Sequence, residues 1–127
     1  MIRQQFNVEY YWEVTVYYNL DCNLFYRVAR ELGNLGFSAD SIAEVYWNMK
    51  TGYAKAVTCS NVHKHQSIVL FNPHLSEADY ISSIVHEAEH VKQAMLFAYM
   101  VEDEGEPAAY TIGYLVMRMY EVFKDFL

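Results

Sequence analysis

His86, Glu87 and His90 form the pattern H-E-x-x-H within residues 81–100, whose apolar periodicity is that of one amphipathic helix. Residues four apart share a helix face, with Cβ atoms about 5–6 Å apart, so the two imidazoles can hold a single Zn²⁺. Glu87 then stands beside the metal's open position, where a carboxylate can take a proton from water. With 5 histidines and 11 glutamates in 127 residues, chance supplies such a pattern only roughly 0.02 times per chain.

The flanks fit a helix that carries a site. Ile81, Ile84, Val85, Ala88, Val91 and Met95 follow helical spacing and are expected to form the buried stripe. His86, His90 and Gln93 fall on the adjacent stripe, at the edge of a cleft. Ser76, three residues before Asp79, reads as the N-terminal cap. Glu89 reads as the exposed partner of Lys92.

A catalytic zinc usually has three protein ligands and one open site. Glu102, Asp103, Glu104 and Glu106 are the nearby downstream carboxylates. Glu106 is the expected third ligand, because it opens a second helix in which Pro107 suits the first turn. Glu106, Tyr110, Gly113 and Met117 share one face of that helix, and Gly113 would permit close packing against the first helix. Glu102, Asp103 and Glu104 are expected to complement the positive end of the helix. If the first helix continued to Val101, Glu106 would lie roughly 16 Å past His90 along the axis. Glu106 therefore joins the histidines only if that helix ends near Phe97 or the two helices cross steeply.

His86-Glu-Ala-Glu-His90 followed by Glu106-Pro-Ala-Ala-Tyr110 resembles the gluzincin branch of the zinc metallopeptidases. There an H-E-x-x-H helix is completed by a glutamate from a following helix. Small phage or bacterial zincin-like proteins carry a stretch similar to residues 106–115. The resemblance covers residues 76–115, about a third of the chain. It implies His86, His90 and Glu106 as zinc ligands and Glu87 as general base. It also implies a strand along the rim of the cleft, whose free edge binds an extended peptide by strand addition. Residues 66–72, just before the zinc helix, are the expected rim strand.

The remaining elements must position these groups. Residues 6–18 alternate: Phe6, Val8, Tyr10, Trp12, Val14, Val16 and Tyr18 on one side, polar residues and Tyr11 and Tyr17 on the other. Period two marks a long strand with one buried face. Asp21 can cap a helix to about Leu35 that ends at Gly33 or Gly36, and Ser38 or Asp40 a second over 41–50. Strands are expected at 53–59 and 66–72, joined by a polar hairpin tip at 60–65. The expected fold is a single α+β, zincin-like domain of order β-α-α-β-β-α-α, a small mixed sheet with the metal site on the last two helices.

A chain with 54% hydrophobic residues, 2 prolines and 5 glycines folds as one domain rather than remaining disordered. A net charge of −7 argues against nucleic acid and against anionic membrane surfaces as partners. The N-terminus lacks the apolar segment of a signal peptide, and no apolar run approaches the roughly 20 residues that span a bilayer. Cys22 and Cys59 read as two reduced thiols, and a cytoplasmic location is expected. The 12 tyrosines could also provide a homo-oligomer surface. His63 and His65 read as solvated residues of a turn. His74 and Tyr110 could each stabilise an oxyanion, although a structural role is the simpler expectation for both.

These features favour a zinc-dependent hydrolase, a peptidase acting on peptide or protein substrates. The alternative is a non-catalytic or regulatory metal-binding module. A helical interaction protein with a fortuitous motif is the third reading.

Overall fold

The computed structural model describes residues 1–9 and 11–126. Helix pairs cover both faces of a four-stranded mixed sheet. The elements are β1 (Ile2–Val8), β2 (Trp12–Tyr18), α1 (Phe25–Leu35), α2 (Ala39–Lys50), β3 (Ala56–Asn61), β4 (Gln66–Phe71), α3 (Glu77–Ala98) and α4 (Gly105–Phe123). The α+β expectation holds, but the order is β-β-α-α-β-β-α-α.

The single strand expected at 6–18 is a hairpin, β1 antiparallel to β2 with Val8 opposite Trp12 and Phe6 opposite Val14. Residues directly opposite one another point to the same face. Because these partners differ by an even number, the alternation passes through the turn without changing phase. Phe6, Val8, Trp12, Val14, Val16 and Tyr18 are all buried together, as they would be on one strand. The reversal uses Glu9 at a φ of 52°; Tyr10 lies outside the described residues.

The sheet order is β1-β2-β4-β3. β2 runs parallel to β4, and β3 antiparallel to β4. Val14, Val16, Val69 and Phe71 face α3 and α4, where Ile84, Ala88, Val91, Leu115 and Met119 complete the core. The opposite face packs Tyr17, Ile68 and Leu70 against Val28, Leu32, Leu35 and Met49 of α1 and α2.

Helix ends follow local chemistry. Gly36, at a φ of 109°, ends α1 with its N–H on the carbonyls of Gly33 and Leu32. The Ser38 and Ser76 hydroxyls accept from Ser41 N–H and Asp79 N–H and so cap α2 and α3. α3 stops at Ala98, with Val101 N–H donating to Leu96 O and Met100 at a φ of 59°. That is the Schellman arrangement with methionine where glycine is usual. Among the described residues, no helix is long and apolar enough to cross a membrane.

Candidate metal and proton-transfer site

α3 crosses beside β3 and turns Ser83, Glu87 and the two motif histidines toward it. His86 and His90 meet through their Nε2 atoms at 3.2 Å, with ring centroids 4.9 Å apart. Two imidazole nitrogens bound tetrahedrally to Zn²⁺, each at about 2.0–2.1 Å, are roughly 3.3–3.4 Å from each other. The observed approach fits one shared ion. A direct N–H···N bond is the other arrangement that brings two rings this close, and 3.2 Å is at its long end. The His86 side chain is 69% exposed, so the pair opens to solvent.

Glu87 is the buried member of the motif, 5% exposed. Thr58 Oγ1 donates to its Oε1 at 3.0 Å, and its Oε2 lies 3.9 Å from His86 Nε2. One carboxylate oxygen is thus tethered to the sheet and the other faces the histidines. Thr58 was not among the candidates read from the sequence. Its signal there is weak: a polar residue in the β3 stretch whose side chain points toward α3. The neighbouring Cys59 points to the opposite face, into the α1–α2 core. Burial, and secondarily the Glu87 carboxylate, push its thiol up to about 12, and its side chain points away from the histidine pair.

Ala56, Val57, Thr58 and Ser60 form the sheet wall of a cleft of about 370 Å³, and His86, Glu87, His90 and Ala94 form the helix wall. The rim strand is β3 rather than the expected residues 66–72, which form β4 and are paired on both sides. Asn72 N–H donates to Lys55 O, which fixes the phase of the antiparallel ladder. The backbone groups of Val57 and Cys59 then face β4, and those of Ala56, Thr58 and Ser60 turn outward.

Glu106 is not brought to the histidines. It stands in the first turn of α4, on the face it shares with Tyr110, Gly113 and Met117, all exposed. A Cβ at Gly113 would meet nothing within 4 Å, so this face does not pack on α3. α4 instead buries Ala108, Thr111, Leu115, Met119 and Phe123. The unbroken run of α3 to Ala98 also carries the chain about 12 Å beyond His90 before α4 begins. Among the described residues, no group of three or more His, Cys, Asp or Glu side chains is arranged to hold a metal ion.

The other candidates have separate places. Asp103 and Glu89 each hold the Lys92 ammonium at 2.7 Å; the bond to Asp103 first, then that to Glu89, raises the lysine's pKa. Lys92 is buried, whereas Val85, expected in the core stripe, is 45% exposed. The expected solvation of both turn histidines holds only for His63. The His65 ring stacks on Trp12 at 5.5 Å and meets Tyr99 edge-on at 5.1 Å. Tyr110 lines a different hollow, of about 610 Å³, with Asn7, Val8, Glu9 and Tyr114. That hollow pairs no base with a nucleophile among its described residues, so the smaller cleft is the better candidate site.

No protein-family model, curated protein or solved structure matches this chain.

Proposed function

We propose that the chain is a metal-dependent hydrolase, a zinc metallopeptidase that cleaves extended peptides in a reducing, cytoplasmic setting. The observation that carries this reading is the convergence of His86 and His90 at 3.2 Å beside a buried carboxylate. When bound, the metal supplies Lewis-acid polarisation of the scissile carbonyl and acidifies water. His86 and His90 are the residues that hold it. Glu87 Oε2 takes a proton and later delivers it to the leaving amine, while the Thr58 hydroxyl keeps the other oxygen from swinging. The outward N–H and C=O groups of Ala56, Thr58 and Ser60 align the peptide as an added strand. The two free cysteines agree with a reducing compartment.

Two protein ligands leave more than one position open, and this specific feature favours a second reading. In it, a regulatory module takes the remaining ligand from a partner. Metal analysis of protein purified without chelator, followed by a peptide-library screen, tests both. One equivalent of zinc, lost in His86→Ala and in His90→Ala, is expected. Glu87→Gln should keep the metal and lose about 10²–10⁴ in turnover. Full zinc in both histidine variants overturns the site, and equal turnover by Glu87→Gln removes the base.

A further inference from the structure

His74 and Ser83 make a second arrangement of reactive type next to the cleft, on groups that the metal reading does not use. The His74 ring stands with Nδ1 2.6 Å from the carbonyl oxygen of Asn72 and Nε2 2.7 Å from Ser83 Oγ. A carbonyl only accepts, so in the neutral ring Nδ1 carries the proton and Nε2 presents its lone pair; the network assigns this tautomer. The Ser83 hydroxyl must therefore be the donor. A hydroxyl hydrogen-bonded to an imidazole that a third group orients is the geometry of an activated serine.

The base is also held by a neighbouring ring. Its ring lies against Tyr80, centroids 4.4 Å apart, and the Tyr80 hydroxyl accepts from Asn19 N–H at 3.1 Å. Ser83 is half-buried and lines an open hollow of about 290 Å³ together with Lys55, Asp79, Ser82, His86 and Glu87. Lys55 is the cation available there to a developing oxyanion.

We propose that Ser83 is a nucleophile and His74 its base, together forming a centre that accepts small acyl groups from esters. Ser83 Oγ bonds to the acyl carbon as its proton passes to His74 Nε2. The ester C–O bond breaks, and the alkoxide leaves with that proton. Water then attacks the acyl-serine, gives its proton through His74 and releases the carboxylic acid, so that ester plus water yields acid plus alcohol. The hollow is at the small end of ligand pockets, which limits the acyl chain to a short one.

Diisopropyl fluorophosphate reports the nucleophile directly: a Ser83 Oγ–P bond forms, the P–F bond breaks, and the proton leaves with fluoride. The reaction is run on the full chain in excess chelator, so that loss of the metal reading leaves this result intact and the reverse. Peptide mapping by mass spectrometry should find one diisopropylphosphoryl group, on Ser83, and none on Ser83→Ala. His74→Gln should label about 10²–10⁴ more slowly, and added imidazole should restore labelling to His74→Ala, which a purely structural histidine would not permit. An unlabelled wild-type chain, a label on another residue, or an unchanged rate in His74→Gln overturns the proposal. The wild-type map decides the first two outcomes even where a variant fails to fold.

Discussion

The two edge strands of the sheet are finished in opposite ways. β1 is locked down by side chains. Gln4 Nε2 donates to Arg118 O at 2.8 Å, Tyr18 donates to Gln4 Oε1 at 2.6 Å, and Tyr114 donates to Asn7 O at 3.3 Å. The Arg118 guanidinium lies 4.8 Å from the Phe6 ring centroid, and Arg3 reaches Glu31 on α1 at 2.8 Å. β3 is tied to α1 only at its end, where Asn61 Nδ2 donates to Leu35 O at 2.7 Å, and along the cleft Thr58 spends its hydroxyl on Glu87 of the site. An exposed sheet edge invites pairing with another chain, and proteins usually blunt it. Here one edge is blunted by α4 and α1, and the other lies beside the histidine pair.

The contrast can be broken at the closed edge, where the largest effect is expected. Phe6 is 4% exposed, and Phe6→Ala should remove about 3–5 kcal/mol, read from the urea midpoint. A loss under about 1 kcal/mol would mean that β1 is not anchored by its packing. At the open edge, Thr58→Val keeps the shape of the side chain but leaves Glu87 Oε1 without its donor. A loss of about 1–3 kcal/mol is expected, together with reduced turnover on any peptide substrate. An unaffected Thr58→Val would show that Glu87 needs no tether. The smallest effect belongs to the outward face of α4. Glu106→Ala should stay within about 0.5 kcal/mol of the parent and bind zinc equally well in a calorimetric titration. A drop in zinc affinity would instead bring α4 into the site and end the division between the edges.

Much of this architecture can be read from the sequence, and its failures share a cause. The caps at Ser38 and Ser76, the glycine stop at Gly36 and the stripe of Ile84, Ala88, Val91 and Met95 are local signals, and the structure uses them as such. The β1–β2 reversal has no signal in the sequence because Glu9, rather than glycine or asparagine, takes positive φ there, and Met100 does the same just past the end of α3. Such residues leave no turn signature in the sequence; both side chains are exposed, and the backbone hydrogen bonds around the two reversals hold the conformation. The candidate site divides in the same way. Helical spacing brought His86, Glu87 and His90 together correctly, because their relation lies within one element. It also grouped Glu106 with Gly113 and Met117 correctly on one face of α4. Which neighbour that face meets depends on how two helices rotate against each other, and no local periodicity encodes that. The same holds for Thr58, which reaches Glu87 across 29 positions, and for the exchange of rim strand between β4 and β3.

The even spacing of partners across the β1–β2 hairpin also restricts how this chain can change in length. Removing or adding one residue between Val8 and Trp12 would move every side chain of β1 to the other face of the sheet. Phe6 and Val8 would then exchange places with Gln5 and Asn7, losing their cover and sending amides into the core. Changes of two residues keep the phase. Insertions and deletions at this tip should therefore be accepted in pairs and rejected singly, although the flanking Glu9 and Tyr11 are themselves exposed.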